Sequence, residues 1–433
     1  MKTLHQRCAG LDVHKQEVVA CLRLVTQGRV HREVRRFPTT TRGLLELAAW
    51  LEAARCTIVA MEATGVYWKP VWHILDGRFE LVLANAAHIK GVPGRKSDVN
   101  DATWIADLLA HGLIRASFVP PQPIQDLRDL TRTRKQLSRE IVRHTQRLQA
   151  VLEEANVKLA SVITDILGAS GRRILKAMIT GETDPSHLAE LGSRRLGCSR
   201  DTLVEALDGR VRDHHRFLLD QHLKTIEQLE ETMAAFDARI EAALAPFRDT
   251  VERLTQVPGL STRAAEVVIA EIGLDMSRFP TAGHLLSWAG LVPALDESAG
   301  KRRSTRVTKG APWLKPVLVQ CAWAAANKKT SYFEAQFLRL KGRRGPKKAA
   351  VAVAASILTT VYHMLRDGTC YQDLGPNSFA RRNPARTARK LADRIRSLGY
   401  IVEIRSAAGS IQIEFLGRAC GLHVLRATDD NSG

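Results

Sequence analysis

The spacing of apolar positions changes period several times along the first 120 residues. Cys8–Val13 is a short apolar run. Glu17–Arg23 follows it after Lys15, and Val30–Phe37 alternates beyond the turn signal Gln27-Gly28, so all three read as strands. From Thr41 to Leu51 the apolar residues at 44, 45, 47, 48 and 51 keep helical spacing. Thr57–Met61 is a fourth strand that ends in Glu62, and Gly65–Leu75 reads as a helix containing Pro70. Phe79–Ala84 is a fifth strand and Asn100–His111 a further helix. Three strands, a helix and then alternating strands and helices predict one mixed α/β sheet.

Pro120-Pro121-Gln122-Pro123 breaks this pattern and marks a boundary. Beyond it the period becomes heptad-like. Leu127, Leu130, Leu137, Ile141, Leu148 and Val151 form one series, interrupted by Arg134 and His144. Leu219, His222, Ile226, Leu229, Met233, Phe236, Ile240 and Ala243 form another. Both are expected to be long coiled-coil helices, paired within the chain or between chains. Residues 161–210 carry no assignable pattern, and Pro246 stops the second helix. Residues 251–375 read as mostly helical. The tail opens with Arg381-Arg382 and a basic helix, Ala385–Leu398, followed by the alternating stretches Tyr400–Arg405 and Ser410–Phe415, a small α/β appendage. The expected domains are 1–120, 121–247, 248–375 and 376–433.

Charge narrows the class of partner. Lys and Arg number 64 against 45 Asp and Glu, a formal net of +19, which points to a polyanion. The excess is concentrated: Ala299–Lys348 holds 14 basic residues and one acidic residue. The seven cysteines form no CxxC pair, which argues against a zinc ribbon and against a secreted disulfide framework. The N-terminus has no apolar signal core, and the run Val351–Leu365 is too short to span a bilayer. The expectation is a cytoplasmic, nucleoid-associated protein that meets nucleic acid and no membrane.

Four acidic residues carry candidate chemistry. Asp12 closes the first strand, Glu62 closes the fourth, and Asp98 and Asp101 lie three apart at a helix start, where both can face one way. Taken singly, Asp12 as a turn residue, Asp98 as an N-cap and Asp101 as a first-turn charge are the simpler readings. Jointly they resist it, because Glu62 ends an apolar strand, where a carboxylate is costly to bury. Cleavage of a phosphodiester places negative charge on the attacking and leaving oxygens, and two Mg²⁺ ions about 3.5–4 Å apart can stabilise both. Mg²⁺ takes oxygen ligands and retains waters, so a few carboxylates suffice. Without metal, four close carboxylates would repel one another.

A second constellation spans 257–313. Val257-Pro258-Gly259-Leu260-Ser261 before Thr262–Ile272 fits a helix-hairpin-helix turn that aims N–H groups at a phosphate, and fits a plain helix-loop-helix equally well. Further on, Ser298 lies in a Gly-containing loop before Lys301, Arg302 and Arg303. It could attack phosphate with those cations stabilising the charge. A basic loop that only grips the backbone is the competing reading, and spacing alone favours it.

The motifs Gly-Leu-Asp12-Val-His-Lys, Met-Glu62-Ala-Thr-Gly and Lys-Ser-Asp98-Val-Asn-Asp101-Ala resemble the Asp-Glu-Asp-Asp motifs of the RuvC-like insertion-sequence transposases. That family includes the Piv-type invertases and the bridge-RNA-guided serine recombinases. The likeness continues through Pro258-Gly259, Trp288-Ala-Gly-Leu-Val-Pro293, Glu297-Ser298-Ala299-Gly300-Lys301 and Thr308-Lys309-Gly310-Ala-Pro-Trp313-Leu314, and covers about residues 8–370.

The resemblance implies an RNase H-like N-terminal domain with a metal site at Asp12, Glu62, Asp98 and Asp101. The ion would be Mg²⁺, with Mn²⁺ as the alternative. It implies a C-terminal transposase domain with Ser298 as nucleophile. It also implies a homo-oligomer, dimer or tetramer, in which one subunit's serine works with another's carboxylates. A structured noncoding guide RNA would choose donor and target DNA, with Lys301, Arg302, Arg303, Arg306 and Lys309 among the nucleic-acid contacts. Ser304, six residues on, is a rival for the serine role, and the tail from 376 has no counterpart in the shorter members. The leading expectation is therefore a DNA transposase or recombinase. A metal-only RuvC-like endonuclease on branched DNA would need the carboxylates but not Ser298. A non-catalytic nucleic-acid-binding protein would need neither, and an architectural coiled-coil protein would leave both motif sets unexplained.

Overall fold

A computed structural model describes residues 3–63, 65–85, 101–193, 195–293, 296–298, 301–304, 306–308 and 310–404, with backbone alone for 296–298 and 301–303. The chain forms two compact units, Met1–Pro121 and Gln122–Gly433.

In the first unit, β1 (Arg7–Val13), β2 (Glu17–Thr26) and β3 (Arg29–Pro38) are antiparallel neighbours. The β2–β3 turn places Gln27 and Gly28 at φ +52° and +76°, the mirror-image turn whose twist matches a hairpin. β4 (Ile58–Glu62) and β5 (Glu80–Ala84) add in parallel to β1, giving the order β3-β2-β1-β4-β5. Helix α1 is Thr41–Ala53, capped by the Thr40 hydroxyl accepting from the Gly43 N–H. α2 is Trp68–Leu75, starting three residues later than the sequence pattern predicts, because Gly65 sits at φ +56° outside helical space. α3 is Asp101–Ala110.

Strand alternation divides the sheet between two cores. Leu11, Val18 and Met61 pack with Leu44, Leu47, Val71 and Leu75 of α1 and α2. Cys8, Ile58 and Ala60, on the opposite face, pack with Ile105, Leu108 and Leu109 of α3. Burial pushes the Cys8 thiol up to about 11, so it behaves as an apolar side chain. β3 is exposed along nearly its whole length and carries Arg32, Arg35 and Arg36, charges that protect a sheet edge.

In the second unit, the two heptad series are α4 (Gln122–Glu154) and α9 (Asp213–Leu244). They pair within the chain and run antiparallel, since Arg134 bonds Asp237 while His144 meets His222. The unassigned stretch between them is a set of short helices: α5 (Leu159–Val162), α6 (Ala169–Thr180), α7 (Pro185–Glu190) and α8 (Arg200–Leu207). Leu148, Leu152, Leu219, Leu223 and Ile226 of the long helices close a core with Ile174, Leu175, Met178 and Leu203 of the short ones.

The remainder comprises α10 (Arg248–Thr255), α11 (Thr262–Ile272), α12 (Ala282–Trp288), a hairpin of β6 (Asp296–Ser298) and β7 (Lys301–Ser304), then α13 (Leu314–Ala326), α14 (Tyr332–Arg344), α15 (Pro346–Asp367), α16 (Ser378–Arg381) and α17 (Pro384–Arg396). α4 is tied to α11 by a buried fork: Arg132 donates to both Glu271 carboxylate oxygens at 2.7 and 2.8 Å, and Arg128 donates to the carbonyls of Ala270 and Glu271. Burial lowers Arg128 to about 10 despite the nearby Glu271 charge. Removing one partner of such a pair costs about 3–5 kcal/mol, because the other charge stays buried.

Two sequence expectations are corrected here, the apolar run at 351–365 and the strand from Tyr400. The apolar run at 351–365 belongs to a helix of 22 residues, long and apolar enough to cross a membrane by length and composition alone. In the structure it is a core helix, with Val353, Ile357, Leu358 and Val361 fully buried and the Tyr362 hydroxyl donating to the Phe279 carbonyl. The turn between α10 and α11 packs on α13: a Cβ at Gly259 would lie 2.2 Å from the Cys321 carbonyl oxygen. In the tail, residues 400–404 form no strand; the 410–415 stretch lies outside the described residues.

Candidate functional site

The sheet brings Asp12 and Glu62 together by register. Leu11 pairs with Met61 across parallel β1 and β4, so the next residues, Asp12 and Glu62, stand side by side at the strand ends. By alternation they belong to the face of Gly10 and Ala60, which is the face α3 covers. Asp101 is the first residue of α3 and is exposed.

The start of α3 is held against this strand end by the absence of a side chain. A Cβ on Gly10 would lie 2.3 Å from the Ala102 carbonyl oxygen and 2.4 Å from the Ala106 nitrogen. Ala102 and Ala106 also pack on Val19 and Cys21 of β2, and Val19 is the cross-strand partner of Asp12. Deeper in the unit, Arg23 is buried and donates to Asp107 of α3 at 2.9 Å, while Arg32 donates to both oxygens of the same carboxylate. These contacts fix where α3, and Asp101 with it, meets the sheet.

Asp12 is partly buried and its Oδ2 lies 3.1 Å from His14 Nε2. His14, Lys15 and Arg36 border a shallow cleft at the same end of the sheet. Asp98 lies outside the described residues. Among the described residues no three His, Cys, Asp or Glu side chains gather closely enough to hold a metal ion. The chemistry of the donor set nevertheless fits a hard divalent cation: Asp12, Glu62 and Asp101 offer oxygen only, at one end of one sheet, with one further carboxylate three residues before Asp101.

The second constellation is a β-hairpin arm rather than an irregular loop. Ser298 pairs with Lys301 at its tip, and Asp296 pairs with Ser304 nearer its base. The two serines therefore differ in position. Ser304 Oγ accepts a hydrogen bond from the Arg306 N–H at 3.2 Å. Below the hairpin, Thr308 N–H donates to the Val292 carbonyl and Pro293 bridges to Val307. The stem closes where Gly290 and Gly310 meet: a Cβ on Gly290 would lie 2.5 Å from the Gly310 nitrogen, and one on Gly310 only 2.2 Å from the Gly290 nitrogen. Lys315 Nζ donates to the Thr308 carbonyl, and Trp313 lies beneath the guanidinium groups of Arg132 and Arg139 on α4. Arg306 is exposed, and Lys309 lies outside the described residues.

Sequence reasoning missed His14, Asp107, Arg23 and the Arg132–Arg139 seat for Trp313. Asp107 and Arg23 had a signal, each being a charge inside an otherwise apolar element.

A family model described as a transposase, of the DEDD class of IS110 elements, matches residues 9–157. A second, described as the transposase IS116/IS110/IS902 family, matches residues 251–338. The first match contains every candidate carboxylate and the second contains the arm. Among curated proteins, the chain is 26% identical over 309 residues to the "Insertion element IS110 uncharacterized 43.6 kDa protein" of Streptomyces coelicolor, a match over 66% of this chain and 74% of that one. It is 28% identical over 239 residues to the "Mini-circle putative transposase for IS117" of the same organism, over 49% of this chain and 56% of that one.

Proposed function

The chain belongs to the IS116/IS110/IS902 family of transposases, and we propose that it is the DNA-cutting recombinase of its insertion element, with Asp12, Glu62, Asp98 and Asp101 as a divalent-metal site and Ser298 as nucleophile. The observation that carries this reading is the meeting of Asp12, Glu62 and the start of α3 at one end of an RNase H-like sheet order, with Gly10 as the point of contact.

In the reaction, Ser298 Oγ attacks a DNA phosphorus. A serine–phosphate bond forms, the bond to one DNA oxygen breaks, and that oxygen leaves and takes up a proton. Attack by a hydroxyl of another strand reverses the exchange and restores the serine, so the number of phosphodiester bonds is unchanged and no external energy source is required. Bound Mg²⁺ or Mn²⁺ would supply charge stabilisation on the attacking and leaving oxygens. The hairpin position of Ser298 supports its role over Ser304, whose hydroxyl already caps a local turn. Lys301, Arg302, Arg303, Arg306 and Lys309 supply the cations that hold phosphate near the serine. The net charge of +19 fits a protein that also carries a structured noncoding RNA for choosing its sites, and the same reading has it work as a homo-oligomer.

The metal site is tested by strand cleavage in Mg²⁺. Glu62→Gln, close in shape but uncharged, should lower cleavage about a hundredfold or more, the loss of several kcal/mol of charge stabilisation, with melting temperature and DNA binding retained. Cleavage at the wild-type rate in Glu62→Gln would remove the carboxylate site from the mechanism.

A further inference from the structure

A cluster on α14, α16 and α17 is built from elements other than the arm and plays no part in the proposed reaction. Its centre is Phe379 of α16. The Tyr332 ring stacks on Phe379 with centroids 4.9 Å apart and planes 22° from parallel. The Arg339 guanidinium lies 4.3 Å from the Phe379 centroid, and that of Arg382 lies 5.4 Å from it. Two cations thus share one ring. Among the described residues neither guanidinium has a carboxylate or a hydrogen-bond acceptor. Arg343 follows Arg339 by one helical turn on the same face of α14. Arg386 lies in the first turn of α17, which folds back on α16 through the Thr387 hydroxyl and the Ala380 carbonyl. All four arginines are exposed. The sequence supplies no neutralising charge: no Asp or Glu occurs from Leu338 to Arg366 or from Leu374 to Ala392.

We propose that Arg339, Arg343, Arg382 and Arg386 form a phosphate-binding surface for the backbone of a nucleic-acid duplex, separate from the arm that carries Ser298. This rests on the reading of the protein as one that works on nucleic acid. Cation–π contact fixes Arg339 and Arg382 in place without consuming their N–H donors. A guanidinium held in this way matches a phosphate with two parallel hydrogen bonds and loses little entropy on binding. Like charges at one exposed site repel, and a polyanion relieves that repulsion with release of its counterions. Phe379 already engages the Tyr332 ring and two guanidiniums, so its part is to hold the cations rather than to stack on a base. The surface therefore grips backbone and carries no sequence preference.

The test uses the full chain, titrated with a short random-sequence DNA duplex and the matching RNA duplex over a range of salt. The variant is Arg339→Gln/Arg343→Gln/Arg382→Gln/Arg386→Gln, compared with a charge-matched control on other exposed positions, Arg195→Gln/Arg210→Gln/Arg239→Gln/Arg248→Gln. Melting temperature checks folding in both. The surface predicts that the slope of log K against log salt falls by about three to four in the first variant, at roughly 0.9 per phosphate contact, with affinity down about tenfold or more. The control should keep the wild-type slope. Whichever duplex shows the change, DNA or RNA, is the one the surface holds. An unchanged slope with both duplexes, or an equal loss in the control, overturns the surface while leaving the transposase reading in place. A wild-type protein that binds neither duplex, or binds only anionic lipid vesicles, overturns both.

Discussion

Single side chains, and in one case the lack of one, set the geometry of the candidate site. Gly10 lies within the first recognisable motif, yet its visible role is steric: it lets α3 approach β1 until backbone meets backbone. Gly10→Ala forces a methyl group onto the Ala102 carbonyl, and overpacking of this kind costs about 1–3 kcal/mol. The expected outcome is a lowered melting temperature and a fall in cleavage larger than the fall in DNA binding, since α3 carries Asp101. Wild-type cleavage with lowered stability would show that the position of α3 does not matter to the chemistry. The strand-end positions of Asp12 and Glu62 and the helix-start position of Asp101 were legible in the sequence, because strand ends and a helix start are visible from spacing. The contacts that seat α3 were not, because Arg23 and Asp107 are 84 positions apart and no local pattern joins them. Ser298 is preferred as the proposed nucleophile only through resemblance, since a serine beside basic residues has no local signature of attack.

Among the elements, the heptad helices were the clearest feature of the sequence, and their pairing was the least determined. The structure resolves the choice by closing α4 on α9 within one chain and capping the pair with α6 and its neighbours. α5 and α7 escaped prediction because four and six residues are too few to show a helical period. One consequence of the pairing is testable. His144 Nδ1 and His222 Nδ1 lie 3.3 Å apart between the helices. Burial, then the charges of His144 and Arg147, hold His222 below its ordinary value of 6.5. The unfolded chain therefore takes up the proton more readily than the folded one. The stabilisation is complete above pH 6.5 and is lost as the pH falls below it, through the lowered folded value. Thermal unfolding between pH 7.5 and 5.0 should show a steeper loss of stability in wild type than in His222→Gln. Parallel curves would mean that the pair does not titrate with folding.

For the whole molecule, the sequence showed a boundary at Pro120–Pro123, and the two compact units meet at Pro121 and Gln122. The tail was read less well: its basic helix is present as α17, while the alternating residues after it form no strand as far as residue 404. Alternation alone does not make a strand when nothing pairs with it. The same region supplies Phe379, Arg382 and Arg386, whose grouping with Arg339 and Arg343 depends on α14 and α16 packing together and could not be read from spacing.

The central claim joins the carboxylates of the first unit to the serine of the second in one reaction. The direct measurement is a covalent-adduct assay. The protein is incubated with Mg²⁺, DNA carrying the element's ends and a target, and RNA transcribed from the flanking noncoding region, then run on a denaturing gel. Wild type and Ser304→Ala should form a protein–DNA adduct, and Ser298→Ala and Glu62→Gln should not. An adduct that persists in Ser298→Ala, or Mg²⁺-dependent cutting with no adduct in any lane, would contradict the account.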